Sequence, residues 1–308
     1  MLRHWTPRRL PVLPRATIAA GLLAATLGAA APAFAADKPD LTLTISPSAS
    51  SIPLGNTVDL TYTMSNLGAT AVGSARMEGA VSGAQSLKIT AQPAGQPNSC
   101  TLSGTALTCP GLVLGAGDSA SVRVQATASS STTGTISAHG TMDPKLKVDE
   151  SKESNNSAVR NVTVFRKPDL TTTILDGPHL VKGGAHVTFK VQVKNLGGST
   201  NNIGLDLRTS NGLVYDSVAF DGDTHGFTCN IHNPATGANY VSCSNGTLGD
   251  PSVSPAGDES ATLLIGAKVK DRGLTSKYRT FSATVDPDNL ISESNGSNNV
   301  DTWDFQYD

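Results

Sequence analysis

The strongest constraint in this 308-residue sequence is an internal repeat. "PDLTLTI" at Pro39 returns as "PDLTTTI" at Pro168, 129 residues later. At the same separation, "LGNTVDLTYTMSNLG" (54–68) faces "GGAHVTFKVQVKNLG" (183–197). Val58, Leu60, Tyr62 and Met64 thereby take the positions of Val187, Phe189, Val191 and Val193. Apolar residues at every second position give one dry face and one wet face, which is a half-buried strand. Both segments end in Asn-Leu-Gly, at Asn66 and Asn195, where glycine is expected to supply a positive φ for a turn.

The pattern continues through each copy. "GDSASVRVQA" (117–126) aligns with "GDESATLLIGA" (257–267), the next strand ends at Met142 or Val285, and a last strand carries Val162 and Val164 or Phe305 and Tyr307. No stretch sustains a 3.6-residue period. Many short alternating strands separated by Gly, Pro, Ser, Asn and Asp predict an all-β sandwich in each copy. The serine-rich run at 126–135 lies inside a copy and is therefore a loop. The expected domains are residues 36–166 and 167–308, joined by the short "FRKPDL".

The first 35 residues have a different character. Arg3, Arg8, Arg9 and Arg15 precede an apolar run that ends in small residues. This predicts a secretory signal peptide, 1–35, cleaved after Ala35. The alternative is a retained anchor, but the apolar core (16–31) is short for a membrane span. The mature chain is thus expected to be secreted and extracellular, with no membrane insertion after signal removal. Arg8 and Arg9 leave the export route open. Residues 36–167 hold ten Lys/Arg against nine Asp/Glu, and 168–308 hold nine against sixteen. Without a dense basic patch, nucleic acid is not an expected partner.

The four cysteines permit three full pairings. The repeat narrows them, because Cys100 and Cys229 are themselves 129 apart and Cys109 and Cys243 follow as the second cysteine of each copy. The simplest pairing is Cys100–Cys109 with Cys229–Cys243. A zinc site from His225, Cys229, His232 and Cys243 competes with it. The first copy has Gln96 and Ser103 in place of the two histidines, so the cysteine pair is the shared chemistry, and an oxidising exterior favours the disulfide.

The acidic stretch "DPDNLISESNGSNN" (286–299) invites a calcium reading through Asp286, Asp288 and Glu293. Its counterpart, "DPKLKVDESKESNN" (143–156), keeps Asp143, Glu150, Asn155 and Asn156 but puts Lys145 opposite Asp288. The EF-hand spacing also fails, with Leu290 at position 5 and Ser297 at position 12. The stretch is expected to be a structural connection between the last two strands, with Asp-Pro ending an extended strand and Asn accepting turn dihedrals. No metal ligand, cofactor or catalytic residue is assigned. No G-x-S-x-G or H-E-x-x-H motif occurs. A trio drawn from Ser210, Asp216, Asp221, Asp223 and His225 has no flanking motif to single it out.

These repeated segments, above all the closing "DPDNLISESNGSNN", resemble the CARDB family, the cell-adhesion-related domain found in bacteria. The part "TLTCPGLVLGAGDSASVRV" also resembles bacterial extracellular repeats of immunoglobulin-like fold. The resemblance covers nearly all of 39–307 in two copies. It implies two tandem immunoglobulin-like β-sandwiches, seven-stranded or similar, of a kind that serves as spacers or binding modules and has no catalytic residues to transfer. The expected function is a non-catalytic secreted binding, spacer or adhesion-related protein, whose partner is an unspecified extracellular protein or glycan. The alternatives are a small exported hydrolase and a carbohydrate-binding module. Exposed aromatics on a flat face would favour the latter. With 5% aromatics, and Phe189, Trp303, Phe305 and Tyr307 on strand patterns, core packing is expected instead.

Overall fold

Period-two burial runs unbroken through Thr57–Asn66, Ser119–Thr127, Ser260–Val269 and Tyr278–Val285 of the computed structural model, which describes residues 38–210, 212–235, 238–270 and 277–308. The expected signal peptide, 1–35, lies outside the described residues. The first copy contains β1 (Leu41–Pro47), β2 (Ser51–Pro53), β3 (Thr57–Asn66), β4 (Val72–Ser82), β5 (Ser86–Ala91), β6 (Thr101–Ser103), β7 (Ala106–Leu114), β8 (Ser119–Thr127), β9 (Gly134–Met142) and β10 (Ser157–Phe165). The second contains β11 (Leu170–Asp176), β12 (Leu180–Val181), β13 (His186–Asn195), β14 (Thr200–Thr209), β15 (Leu213–Phe220), β16 (Thr228–His232), β17 (Tyr240–Leu248), β18 (Ser260–Val269), β19 (Tyr278–Val285) and β20 (Val300–Tyr307).

Each copy is a sandwich of a four-stranded and a six-stranded sheet. The orders are β1-β3-β8-β5 and β2-β10-β9-β4-β7-β6, then β11-β13-β18-β15 and β12-β20-β19-β14-β17-β16. Pairing is antiparallel except where β2 joins β10 and β12 joins β20. Each copy has ten strands among the described residues, the shortest of them β2, β6 and β12.

The inner faces form one hydrophobic cluster per copy. Tyr62, Leu60 and Met64 of β3 are fully buried in the first, as are Phe189, Val191 and Val193 of β13 in the second. Phe189 stacks on Phe281 with ring centroids 4.1 Å apart, and Phe305 closes the other side. Trp303 packs against the core edge, where its Nε1 donates to Pro178 O. Burying a large side chain of this kind contributes roughly 1.5–3 kcal/mol, so these rings belong to the core, as their strand pattern suggested.

The glycines of the two Asn-Leu-Gly segments work differently from the expectation. Gly68 and Gly197 are not among the residues with positive φ. They permit close approach instead. A Cβ on Gly68 would lie 2.3 Å from Lys38 O, and one on Gly197 would lie 2.2 Å from Lys167 O. The backbone that leads into the first strand of each copy presses against the end of β3 or β13, leaving no room for a side chain.

The disulfides are Cys100–Cys109 and Cys229–Cys243. Each ties the hairpin at the edge of the six-stranded sheet, with Cys100, just ahead of β6, bonded to Cys109 of β7, and Cys229 of β16 directly opposite Cys243 of β17. In the first copy the joined hairpin turns at Gly104, whose φ is +59°. In the second the hairpin is longer, with β16 running on to His232.

Candidate functional site: the latch shared by both copies

The residues common to the two copies converge on one place, the start of the first strand. In the first copy, the Leu41 N–H donates to Glu150 Oε2, and Asn156 Nδ2 donates to Glu150 Oε1 at 3.0 Å. Asn155 Nδ2 reaches Asp40 Oδ1 at 2.8 Å, and the Ser151 N–H donates to Pro39 O at 2.9 Å. The second copy repeats each bond. Leu170 N–H and Asn299 Nδ2 donate to Glu293, Asn298 Nδ2 to Asp169 Oδ1, and the Ser294 N–H to Pro168 O. The segment before the last strand is thus a latch over the entry to the first strand, more than 100 residues away in sequence.

Asn66 and Asn195 hold the other side. Both are fully buried. Asn66 Oδ1 accepts from the Asp40 and Gly68 N–H groups, while Nδ2 donates to the carbonyls of Thr70, Leu114 and Gly115. Asn195 does the same with Asp169, Gly197, Gly198 and Gly249. A buried amide saturated in this way fixes three chain segments relative to one another. The sequence contained the signal, since Asp40/Asp169 and Asn66/Asn195 are identical polar residues inside the repeated motifs. Their partners were not readable.

Two details of the acidic stretch correct the local-turn expectation. Asp286 precedes Pro287, yet its φ is +46°, and Asp143 before Pro144 has φ +41°, so neither is extended. The carboxylate explains the choice. Asp286 accepts from the Leu290 and Ile291 N–H groups, and its own N–H donates to Gly204 O, so the side chain and backbone together hold the left-handed conformation. The paired asparagines do not supply the positive φ. Leu146 and Asn289 do, and the Asn-Asn side chains are spent on the latch.

Burial raises the pKa of both Glu150 and Glu293 above the ordinary carboxylate value, against the lowering effect of the bonds they accept. For Glu150 the neighbouring Glu153 and Asp143 add to the rise, and for Glu293 Asp286 and Asp169 do. Both Glu293 oxygens and both Asp286 oxygens face N–H donors, and Asp288 is exposed. Among the described residues no group of three or more His, Cys, Asp or Glu is arranged to hold a metal ion.

The other candidates separate in the structure. Cys229 and Cys243 are consumed in their disulfide, and His232 Nε2 lies 3.0 Å from Ser242 Oγ. Ser210 Oγ accepts from the Thr280 N–H, Asp221 pairs with Lys190, and Asp223 accepts from the His225 N–H. Asp216 is bonded by His186 Nδ1 at 3.0 Å and by Ser217 Oγ at 3.2 Å. That places the carboxylate between imidazole and hydroxyl, so the imidazole is not set against the hydroxyl as a general base would be.

Several strand edges are closed by side-chain amides. Gln96 exchanges both its polar groups with the backbone of Val113, Gln92 does so with Cys100, and Asn233 with Tyr215. Each mimics a missing strand partner, which blunts the edge against pairing with another chain.

Among solved structures, the chain is similar to the CARDB domain of the PF1109 protein from Pyrococcus furiosus in complex with di-metal ions. The identity is 20%, the match covers 42% of this chain and 90% of that one, and the TM-score is 0.31. It is also similar to the C-terminal domain of the Streptococcus agalactiae AgI/II polypeptide BspA, at 11% identity, 87% and 98% coverage and a TM-score of 0.33. A third is the N-terminal domain of the Streptococcus gordonii adhesin Sgo0707, at 9% identity, 82% and 60% coverage and a TM-score of 0.30. No curated protein matches the chain significantly. The family profile described as CARDB matches residues 38–160 and again 167–302, one match for each latched sandwich, and the chain belongs to the CARDB family.

Proposed function

We propose that the chain is an exported, non-catalytic protein whose two sandwiches bind or space a component of the cell exterior. The observation that carries this reading is where the shared chemistry goes. Glu150 and Glu293, with the amides of Asn156 and Asn299, are engaged in fastening the first strand of each sandwich, and Asp143 and Asp286 in shaping the segment that carries them. Common residues spent on architecture, with divergent residues on the outer faces, suit a scaffold that presents surfaces.

The test uses residues 36–308, fluorescently labelled, mixed with cell envelopes and culture-matrix material of the producing organism. Saturable co-sedimentation is the expected result. N-terminal sequencing of the exported product should begin at Ala36, and fractionation should recover it outside the cell. Hydrolysis of nitrophenyl esters or glycosides that is abolished by Asp216→Asn would overturn the non-catalytic reading.

A further inference from the structure

The two sandwiches differ most informatively on the outer face of the six-stranded sheet. In the second copy one row across five strands reads Thr302, Ser282, Arg208, Tyr240, His232. The adjacent row reads Val300, Thr284, Asp206, Ser242, Asn230. The row of the first copy that matches Thr302–His232 reads Val159, His139, Ala80, Ala106, Ser103. The fold is therefore built equally well with Ala80 and Ala106 where the second copy has Arg208 and Tyr240. The larger side chains are not demanded by the sandwich.

Their arrangement is ordered. The His232 and Tyr240 rings stack with centroids 4.3 Å apart, and the Arg208 guanidinium lies 5.0 Å from the Tyr240 centroid on the neighbouring strand. Arg208 also donates from Nε and Nη2 to Asp206 Oδ2. The three side chains form an upright wall, and beside it the sheet drops to the short Ser282 and Thr284. Five strands at about 4.8 Å spacing give a platform roughly 19 Å wide. The Cys229–Cys243 bond sits three residues along the hairpin from the His232–Tyr240 pair and fixes its register. Asn233, next to His232, ties the extended hairpin to the backbone of Tyr215. A wall held this way loses little freedom on binding.

We propose that this face of the second sandwich is a binding site for a neutral polysaccharide, with Arg208, Tyr240 and His232 as its wall, the Asp206 carboxylate accepting from sugar hydroxyls, and the Ser282 and Thr302 hydroxyls exchanging hydrogen bonds with them. Charge and the scarcity of apolar anchors select the occupant. Arg208 is already paired with Asp206, and residues 168–308 carry nine basic against sixteen acidic groups, so a polyanion gains nothing here. Val300 is the one large aliphatic residue on the two rows, which denies a protein partner the apolar anchor that interfaces use. What the rows offer is a closely spaced mixture of donors and acceptors beside aromatic edges. That is the chemistry for a ligand whose every ring carries several hydroxyls on a partly apolar frame.

The proposal rests on the binding-module reading above. Its test is affinity electrophoresis of residues 36–308 through gels containing, separately, mixed-linkage β-glucan, xylan, galactomannan, dextran and polygalacturonate. Retardation by at least one of the four neutral polymers is expected. Arg208→Ala and Tyr240→Ala should each weaken it about tenfold or more, while His139→Ala on the matching row of the first copy should leave it unchanged. Equal thermal midpoints for the variants show that they fold. The proposal is overturned if no neutral polymer retards the chain, if only polygalacturonate does, or if both variants are retarded like the wild type. Undiminished binding to cell envelopes in any of those cases leaves the binding-module reading standing, and loss of both binding results refutes both.

Discussion

Replacing Glu293 with alanine removes the acceptor that joins the first and last parts of the second sandwich. Two N–H donors lose their partner, the Leu170 backbone and the Asn299 amide. A hydrogen bond to a charged group is worth about 1.5–3 kcal/mol, and a buried donor left alone costs about 1–3 kcal/mol. Part of this is returned, because burial disfavours the ionised Glu293. A net loss of about 2–4 kcal/mol remains once that relief is taken into account. For a domain of this size, that corresponds to a fall in Tm of about 6–15 °C. Glu293→Gln provides an internal control. Both carboxylate oxygens accept from N–H groups, and an amide can replace only one of them, so the glutamine variant should fall between wild type and alanine. Differential scanning calorimetry of residues 36–308 is the assay, with Glu150→Ala as the equivalent change in the first sandwich. A shift below about 2 °C in both alanine variants would show that the latch does not hold the first strand, and the structural account of the shared residues would fail.

Other outcomes follow from the same structure. Gly197→Ala would place a Cβ 2.2 Å from Lys167 O, and forcing that backbone apart should cost about 1–3 kcal/mol or more in urea unfolding. Since Glu150 and Glu293 have raised pKa values in the fold, the proton-linked part of their contribution is complete below the ordinary glutamate value and is lost as pH rises through the raised one, leaving at neutral pH the bonds that the ionised groups accept. Urea midpoints measured from pH 4.5 to pH 7 should therefore decline less steeply in the Glu150→Gln/Glu293→Gln double variant than in wild type. Removing the Cys229–Cys243 bond by a double serine substitution should cost about 2–4 kcal/mol, since it closes a loop with a sequence separation of 14. Calcium at up to several times about 10⁻³ M, the range of weak extracellular sites, should leave the Tm unchanged. A rise abolished by Asp288→Ala would contradict the structural role given to the acidic stretch.

The sequence alone determined the β-class, the duplication and most strand positions. Period-two alternation is a local property, and Val58, Leu60, Tyr62 and Met64 declare their buried face without reference to any partner. It also showed that Asp286–Asn299 belongs to the architecture, because Lys145 occupies the position of Asp288 in a copy that keeps Glu150, Asn155 and Asn156. Only the tertiary structure decided what those residues do. Glu293 meets Leu170 across 123 residues, and no spacing rule relates the two. Gly68 and Gly197 likewise looked like turn formers, and became close-approach positions only when the entry to each first strand was laid against them. The outer-face row of Thr302, Ser282, Arg208, Tyr240 and His232 was hidden for the same reason. Its members come from five strands, and strand register, a long-range hydrogen-bonding outcome, is what brings them side by side.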